Sequence, residues 1–175
     1  MCCVIKRNVR QVNEISANNS PSTLNVRMQT SIKCSSKVVI LGDSHLKECT
    51  EKINNHLGDV FRIKWIKPGA LTEEMLDKPT IDLMNLKERD VIVICAGAND
   101  VYMNNSNVAL LKITKFIQNN CNTNILIHGV PHRYDLVKYS CVNRAIQAFN
   151  YKLKKVATSF KYVTILECNY NREYF

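Results

Sequence analysis

Lys37-Val38-Val39-Ile40-Leu41-Gly42-Asp43-Ser44-His45 is the stretch from which the fold of this chain is read. Its short β-branched apolar run has the signature of a buried strand, and its Gly-Asp-Ser turn leads directly into a helical pattern. Leu46, Cys49, Ile53 and Leu57 then recur at helical spacing and Gly58 supplies a stop. A serine at such a turn sits beside the free N–H groups at a helix start, where negative charge is stabilised. That suits a nucleophile attacking an ester carbonyl, because the oxyanion would form beside the serine's own N–H. Gly-Asp-Ser also occurs at strand-to-helix turns for capping alone, so the other turns have to decide.

Working outward, Phe61-Arg62-Ile63-Lys64-Trp65-Ile66 alternates apolar with basic and predicts a second strand near a sheet edge. Lys67-Pro68-Gly69-Ala70 reads as its exit turn, and Thr72 as the cap of a short helix through Glu73, Glu74 and Met75. Val91-Ile92-Val93-Ile94-Cys95-Ala96, the most hydrophobic run, predicts a central parallel strand covered on both faces. It stops at Gly97-Ala98-Asn99-Asp100. Val108 through Ile117 is helical in period, Asn124 through His128 predicts a fourth strand, and Gly129 through Arg133 its exit loop. Val142, Ala145, Ile146, Phe149, Leu153, Val156 and Phe160 stripe a long helix, and Tyr162 through Leu166 predicts a fifth strand. Alternating strands and helices imply a parallel sheet with right-handed crossovers, hence a three-layer α/β/α domain with strand order 2-1-3-4-5.

Composition narrows the class. The 175 residues suffice for one domain with a sizeable core. Residues 1 to 36 read as a poorly ordered basic and polar arm, with five cations against Glu14 and a linker-like Asn18-Asn19-Ser20-Pro21-Ser22-Thr23. Residues 37 to 175 form the domain. The net charge of +9 admits a nucleic-acid partner, although a mildly basic surface is ordinarily just solvated. Eight cysteines without a Cys-x-x-Cys pair, several of them in strand or helix patterns, argue for reduced thiols rather than disulfides or zinc. No signal peptide and no membrane-spanning run is read, which predicts a cytoplasmic protein with the nucleus also open to it. No metal or cofactor is expected.

In parallel α/β sheets the ligand site lies beyond the carboxyl ends of the strands. Ser44 follows the first strand, Gly69 the second, and Asn99 with Asp100 the third, so a hydroxyl, a glycine N–H and an amide converge on one rim. Gly42-Asp43-Ser44, Gly69 and Gly97-Ala98-Asn99-Asp100 resemble the first three blocks of the SGNH, or GDSL-like, hydrolase superfamily, in its order and spacing, over about residues 37 to 170. Pro68-Gly69-Ala70 and Val130-Pro131-His132-Arg133-Tyr134-Asp135 are similar, within that superfamily, to SGNH-like segments of animal retroelement reading frames. The resemblance implies a flavodoxin-like α/β/α fold and a serine esterase or lipase acting on a small-molecule ester. Ser44 would be the nucleophile, and the Ser44 N–H, Gly69 and Asn99 the oxyanion hole. Asp43 and Asp100 are expected to order their turns through backbone hydrogen bonds. His132 and Arg133 are expected near the substrate.

The family's last block, Asp-x-x-His, supplies the base and its orienting carboxylate, and it does not occur in Glu167 through Phe175. His45 follows the nucleophile but faces away from it at a helix start, His56 is expected far from the rim, and His128 falls within a strand. His132 lacks a matched carboxylate. Loss of a triad histidine costs about six orders of magnitude in kcat, so the chain is expected to be nearly inert as an esterase. Two other readings stand beside this one: a catalytically silent SGNH-like module that binds RNA or protein, and a fragment of a mobile-element reading frame.

Overall fold

The computed structural model describes residues 36–43, 46, 52, 55, 61–77 and 85–168. The arm expected over residues 1 to 36 therefore lies almost wholly outside the described residues. So does most of the helix expected after Ser44, of which Lys52 and Asn55 are described and helical. Five strands form one sheet: β1 (Val38–Gly42), β2 (Phe61–Ile66), β3 (Val91–Cys95), β4 (Asn124–His128) and β5 (Val163–Leu166). Their order is β2-β1-β3-β4-β5 and every pairing is parallel. Four described helices connect them: α1 (Thr72–Leu76), α2 (Ala98–Tyr102), α3 (Ser106–Asn119) and α4 (Cys141–Thr158).

Register explains the core. Val39, Ile92, Ile125 and Val163 pair in one row across β1, β3, β4 and β5, and Leu41, Ile94, Ile127 and Ile165 in the next. Side chains alternate along a strand, so both rows project from the same face. There they join Ile113 and Phe116 of α3 and Ile146, Phe149 and Leu153 of α4 in a single apolar cluster. The opposite face of β3 is different: Val91, Val93 and Cys95 are only half-buried, whereas Ile92 and Ile94 are fully enclosed. The expected cover on both faces of β3 thus holds in full for one face, the one against which α3 and α4 pack.

Two local expectations are corrected. Thr72 does not cap α1; the cap position is Leu71, with no side-chain hydrogen bond, and Thr72 is the first helical residue and fully buried. Phe160 lies past the end of α4, although it still packs on the core. Helix α4 itself is capped by Ser140, whose hydroxyl accepts the Asn143 N–H at 3.1 Å. Cys95, Cys121, Cys141 and Cys168 are free thiols. Among the described residues no helix is long and apolar enough to cross a membrane.

Candidate active site

The exits of β1, β2 and β3 are tied together by backbone and side-chain hydrogen bonds. The Lys67 N–H donates to the Gly42 carbonyl at 3.2 Å, which joins the end of β1 to the loop after β2. That loop turns at Gly69, whose φ of +72° lies in the left-handed region and whose missing Cβ would meet only open space. Glycine is thus required there by backbone conformation rather than by crowding. From the next exit, the Asn99 side-chain amide donates to the Ala70 carbonyl at 3.0 Å. Asp100, only 2% exposed, accepts from the Thr72 N–H at 2.9 Å and the Thr72 hydroxyl at 2.7 Å through Oδ2. Asp100 was expected to order its own turn; its carboxylate instead holds the neighbouring loop across 28 residues of sequence.

Gly97 makes this turn possible. Its φ is +105°, and a Cβ there would stand 2.6 Å from the Phe149 ring of α4. The start of α2, with Asn99 and Asp100, is thereby seated directly on the core helix.

A cleft of about 1050 Å³ opens at the carboxyl ends of β1, β3 and β4, lined among others by Asp43, Asn99, Tyr102, His128, His132 and Arg133. Val130, Val142 and Ile146 give it an apolar wall. Of the site residues read from sequence, Asp43, Asn99, His132 and Arg133 meet in this cleft. Gly69 does not line it and adjoins it through the Asn99–Ala70 bond. Ser44 and His45 lie outside the described residues, as does His56. Next to Ser44, Asp43 is buried, and its carbonyl accepts the Leu46 N–H at 3.2 Å. Arg133 is engaged by Asp135 through two parallel bonds of 2.8 and 2.7 Å, and this carboxylate raises the guanidinium pKa and lowers its own.

Sequence reasoning passed over His128 because it falls in a strand. It is the last residue of β4, so its ring stands on the rim and lines the same cleft as Asp43 and Asn99. Burial lowers its pKa, against the smaller raising effects of the Gly129 carbonyl and the Asp43 charge. The Cys168 thiol lies 3.4 Å from both ring nitrogens and donates to the Gly129 carbonyl at 2.8 Å; burial pushes that thiol up to about 11. A histidine at the final position of a predicted parallel strand was the signal available in the sequence. Asn143 and Asn150 were also missed. They stand on the inner stripe of α4 and bond the backbone of the β4–α4 loop: Asn143 at Arg133 and Val137, Asn150 at both polar atoms of Val130.

Among the described residues no cluster of three or more metal-ligating side chains occurs. Neither a family model nor a curated protein sequence matches this chain. Solved structures do. A GDSL-like lipase from Bacteroides thetaiotaomicron superposes with a TM-score of 0.61 at 16% identity, over 78% of this chain and 70% of its own. A lipolytic protein of the G-D-S-L family from Veillonella parvula gives 0.61 at 13%, over 75% and 77%. The catalytic domain of a Streptococcus pneumoniae peptidoglycan O-acetyltransferase gives 0.57 at 16%, over 77% and 70%. At these identities the likeness is one of fold: the chain has the α/β/α fold of the GDSL-like, or SGNH, hydrolases.

Proposed function

We propose that the rim formed by the exits of β1, β2 and β3 is an ester-hydrolysing site of the SGNH type. The observation that carries this reading is the bond from Asn99 to the Ala70 carbonyl, which holds the amide of one exit against the Gly69 turn of the next. A carboxamide NH₂ has two donors, and Ala70 takes one; the other is the group a substrate oxygen would meet. In this reading the Ser44 hydroxyl attacks the ester carbonyl, and the carbonyl oxygen becomes an oxyanion held by the Ser44 N–H, the Gly69 N–H and Asn99. Such donors help because they are fixed before charge develops, and one of them is typically worth about 10²- to 10³-fold in kcat. Asp100 and Thr72 supply that fixity. His132 and Arg133 stand where the alcohol or acyl portion would lie.

The chemistry also needs a base with an orienting carboxylate. Of the described histidines, His128 and His132 reach the cleft, and burial favours the neutral form of His128, the form that accepts a proton. With no Asp-x-x-His segment in residues 167 to 175, the chain is proposed to turn over esters barely above background. The similarity to retroelement-encoded SGNH segments belongs to the same reading and adds no step to the chemistry.

The test is hydrolysis of p-nitrophenyl acetate by this chain and by a version extended with an SGNH-type Asp-x-x-His segment. The extension is expected to raise the rate by several orders of magnitude, and Ser44→Ala to abolish the gain. A chain already fast without it would point to a base within it, and His128→Gln and His132→Ala would identify which.

A further inference from the structure

Charge is unevenly spread along the sequence. From Lys37 to His132 eleven Lys and Arg residues meet eleven Asp and Glu, whereas from Arg133 to Cys168 seven cations stand against only Asp135 and Glu167. The entire basic excess beyond residue 36 thus falls on the β4–α4 loop, α4 and the approach to β5. Helix α4 carries Arg144, Lys152, Lys154 and Lys155 and no acid at all.

This segment also forms a groove of about 720 Å³ between the loop, α4 and the end of β5, lined among others by Arg133, Tyr134, Lys138, Gln147, Tyr151 and Lys154. Aromatic rings are interleaved with the cations and are not hidden: Tyr151 is 62% exposed and Tyr139 is 73% exposed. Lys155 sits 4.5 Å over the Tyr151 ring and Lys138 5.5 Å over that of Tyr139. A face built only for solvation mixes both signs of charge and carries few exposed rings. The groove is also fixed in shape, since Asn143 holds the Arg133 and Val137 backbone and Asn150 that of Val130. Two of its cations are paired, Arg133 with Asp135 and Lys154 with Glu167, in exposed bridges of a kind that holds weakly and exchanges readily for phosphate oxygens.

We propose that this groove binds a single-stranded polynucleotide, with phosphates on Arg133, Lys138 and Lys154 and bases stacked on Tyr134 and Tyr151. Fixed concavity, stackable rings and the Gln147 amide suit unpaired bases. An anionic membrane would need only the positive charge and a few exposed apolar side chains. The inference does not depend on Ser44 and holds whether or not the cleft turns over esters.

Fluorescence anisotropy of the full chain with a labelled oligouridylate of about 20 nucleotides tests it. Neutralising three phosphates predicts about twentyfold weaker binding at 200 mM than at 50 mM salt. Lys138→Glu with Lys154→Glu is expected to weaken binding at least tenfold and flatten the salt slope. Tyr151→Ala is expected to cost about tenfold and Tyr151→Phe to restore it, because stacking needs the ring and not the hydroxyl. Lys112→Ala, on α3 beside Glu73 and Asp77, should change nothing. The cations of residues 1 to 36 are common to all these variants, so the differences report on the groove. Native-like binding by the double charge reversal would overturn the proposal, as would indifference to Tyr151→Ala. Tighter binding to phosphatidylserine vesicles than to the oligonucleotide, lost in the same double variant, would reassign the groove to a membrane and overturn it equally.

Discussion

The two halves of the carboxyl rim are built by different means. On one side, the Gly69 loop and the start of α2 are held by a buried carboxylate, Asp100 on Thr72, and a half-buried amide, Asn99 on Ala70. On the other, the β4–α4 loop is held by Asn143 and Asn150 from the core helix beneath it, and its outward side chains, His132, Arg133 and Tyr134, are half-buried or exposed. The first half fixes the Asn99 amide and the Gly69 turn against each other. The second fixes only backbone and leaves its charged groups facing water. The first half is thus held through its own side chains and the second through its backbone, and the proposed esterase reading assigns them different tasks: polarising a carbonyl for the first, contacting substrate for the second.

The comparison can be broken by substitutions on either side, and the largest effects are expected where the first half meets the core. Gly97→Ala forces a side chain into positive φ and against the Phe149 ring at 2.6 Å, and the two penalties together are expected to cost about 2–4 kcal/mol in urea unfolding. Asp100→Ala leaves the Thr72 N–H and hydroxyl buried without their acceptor, for an expected loss of about 2–3 kcal/mol. A double-mutant cycle with Thr72→Val should show that most of this loss is shared between the two sites.

On the second half, Asn143→Ala removes three bonds to loop backbone, for an expected loss of about 1–3 kcal/mol, with faster amide exchange confined to the β4–α4 loop. Titration sharpens the contrast further. His128 has a pKa held below its ordinary 6.5, chiefly by burial, so on acidification the unfolded chain takes up its proton first. Stability should therefore fall as the pH drops below about 6.5, and His128→Gln should flatten that dependence. Cys168 behaves in the opposite sense: its thiol, pushed up to about 11, keeps its proton after the unfolded thiol has lost one, so stability should decline as the pH rises above the ordinary 9.0. The smallest effect is expected at Gly69→Ala, where backbone strain operates in open space, for about 1 kcal/mol.

Most of the fold was legible because it rests on periodicity. The runs Phe61–Ile66 and Asn124–His128 are strands over the same residues that the pattern predicts, and the strand order follows from alternating elements and crossover handedness. The difference in burial between the two faces of β3 was not legible, because an unbroken apolar run looks the same whether its faces are fully or half enclosed. Nor was the role of Thr72: a threonine before two glutamates reads locally as a cap, and only the tertiary approach of Asp100 turns it inward. For the site, residue types at strand exits pointed to Asn99, Asp100 and the Gly69 turn. His128 was lost because it was read as one more strand residue, although the predicted bound made it the last of its strand and so placed it at the rim.

The most direct measurement is kcat for p-nitrophenyl acetate in the Asp-x-x-His-extended chain, with and without Asn99→Ala. If the Asn99 amide is an oxyanion donor held in place by Ala70, kcat should fall about 10²- to 10³-fold while KM stays nearly constant. An unchanged kcat, or an extended chain that remains inert while folded, would contradict the account.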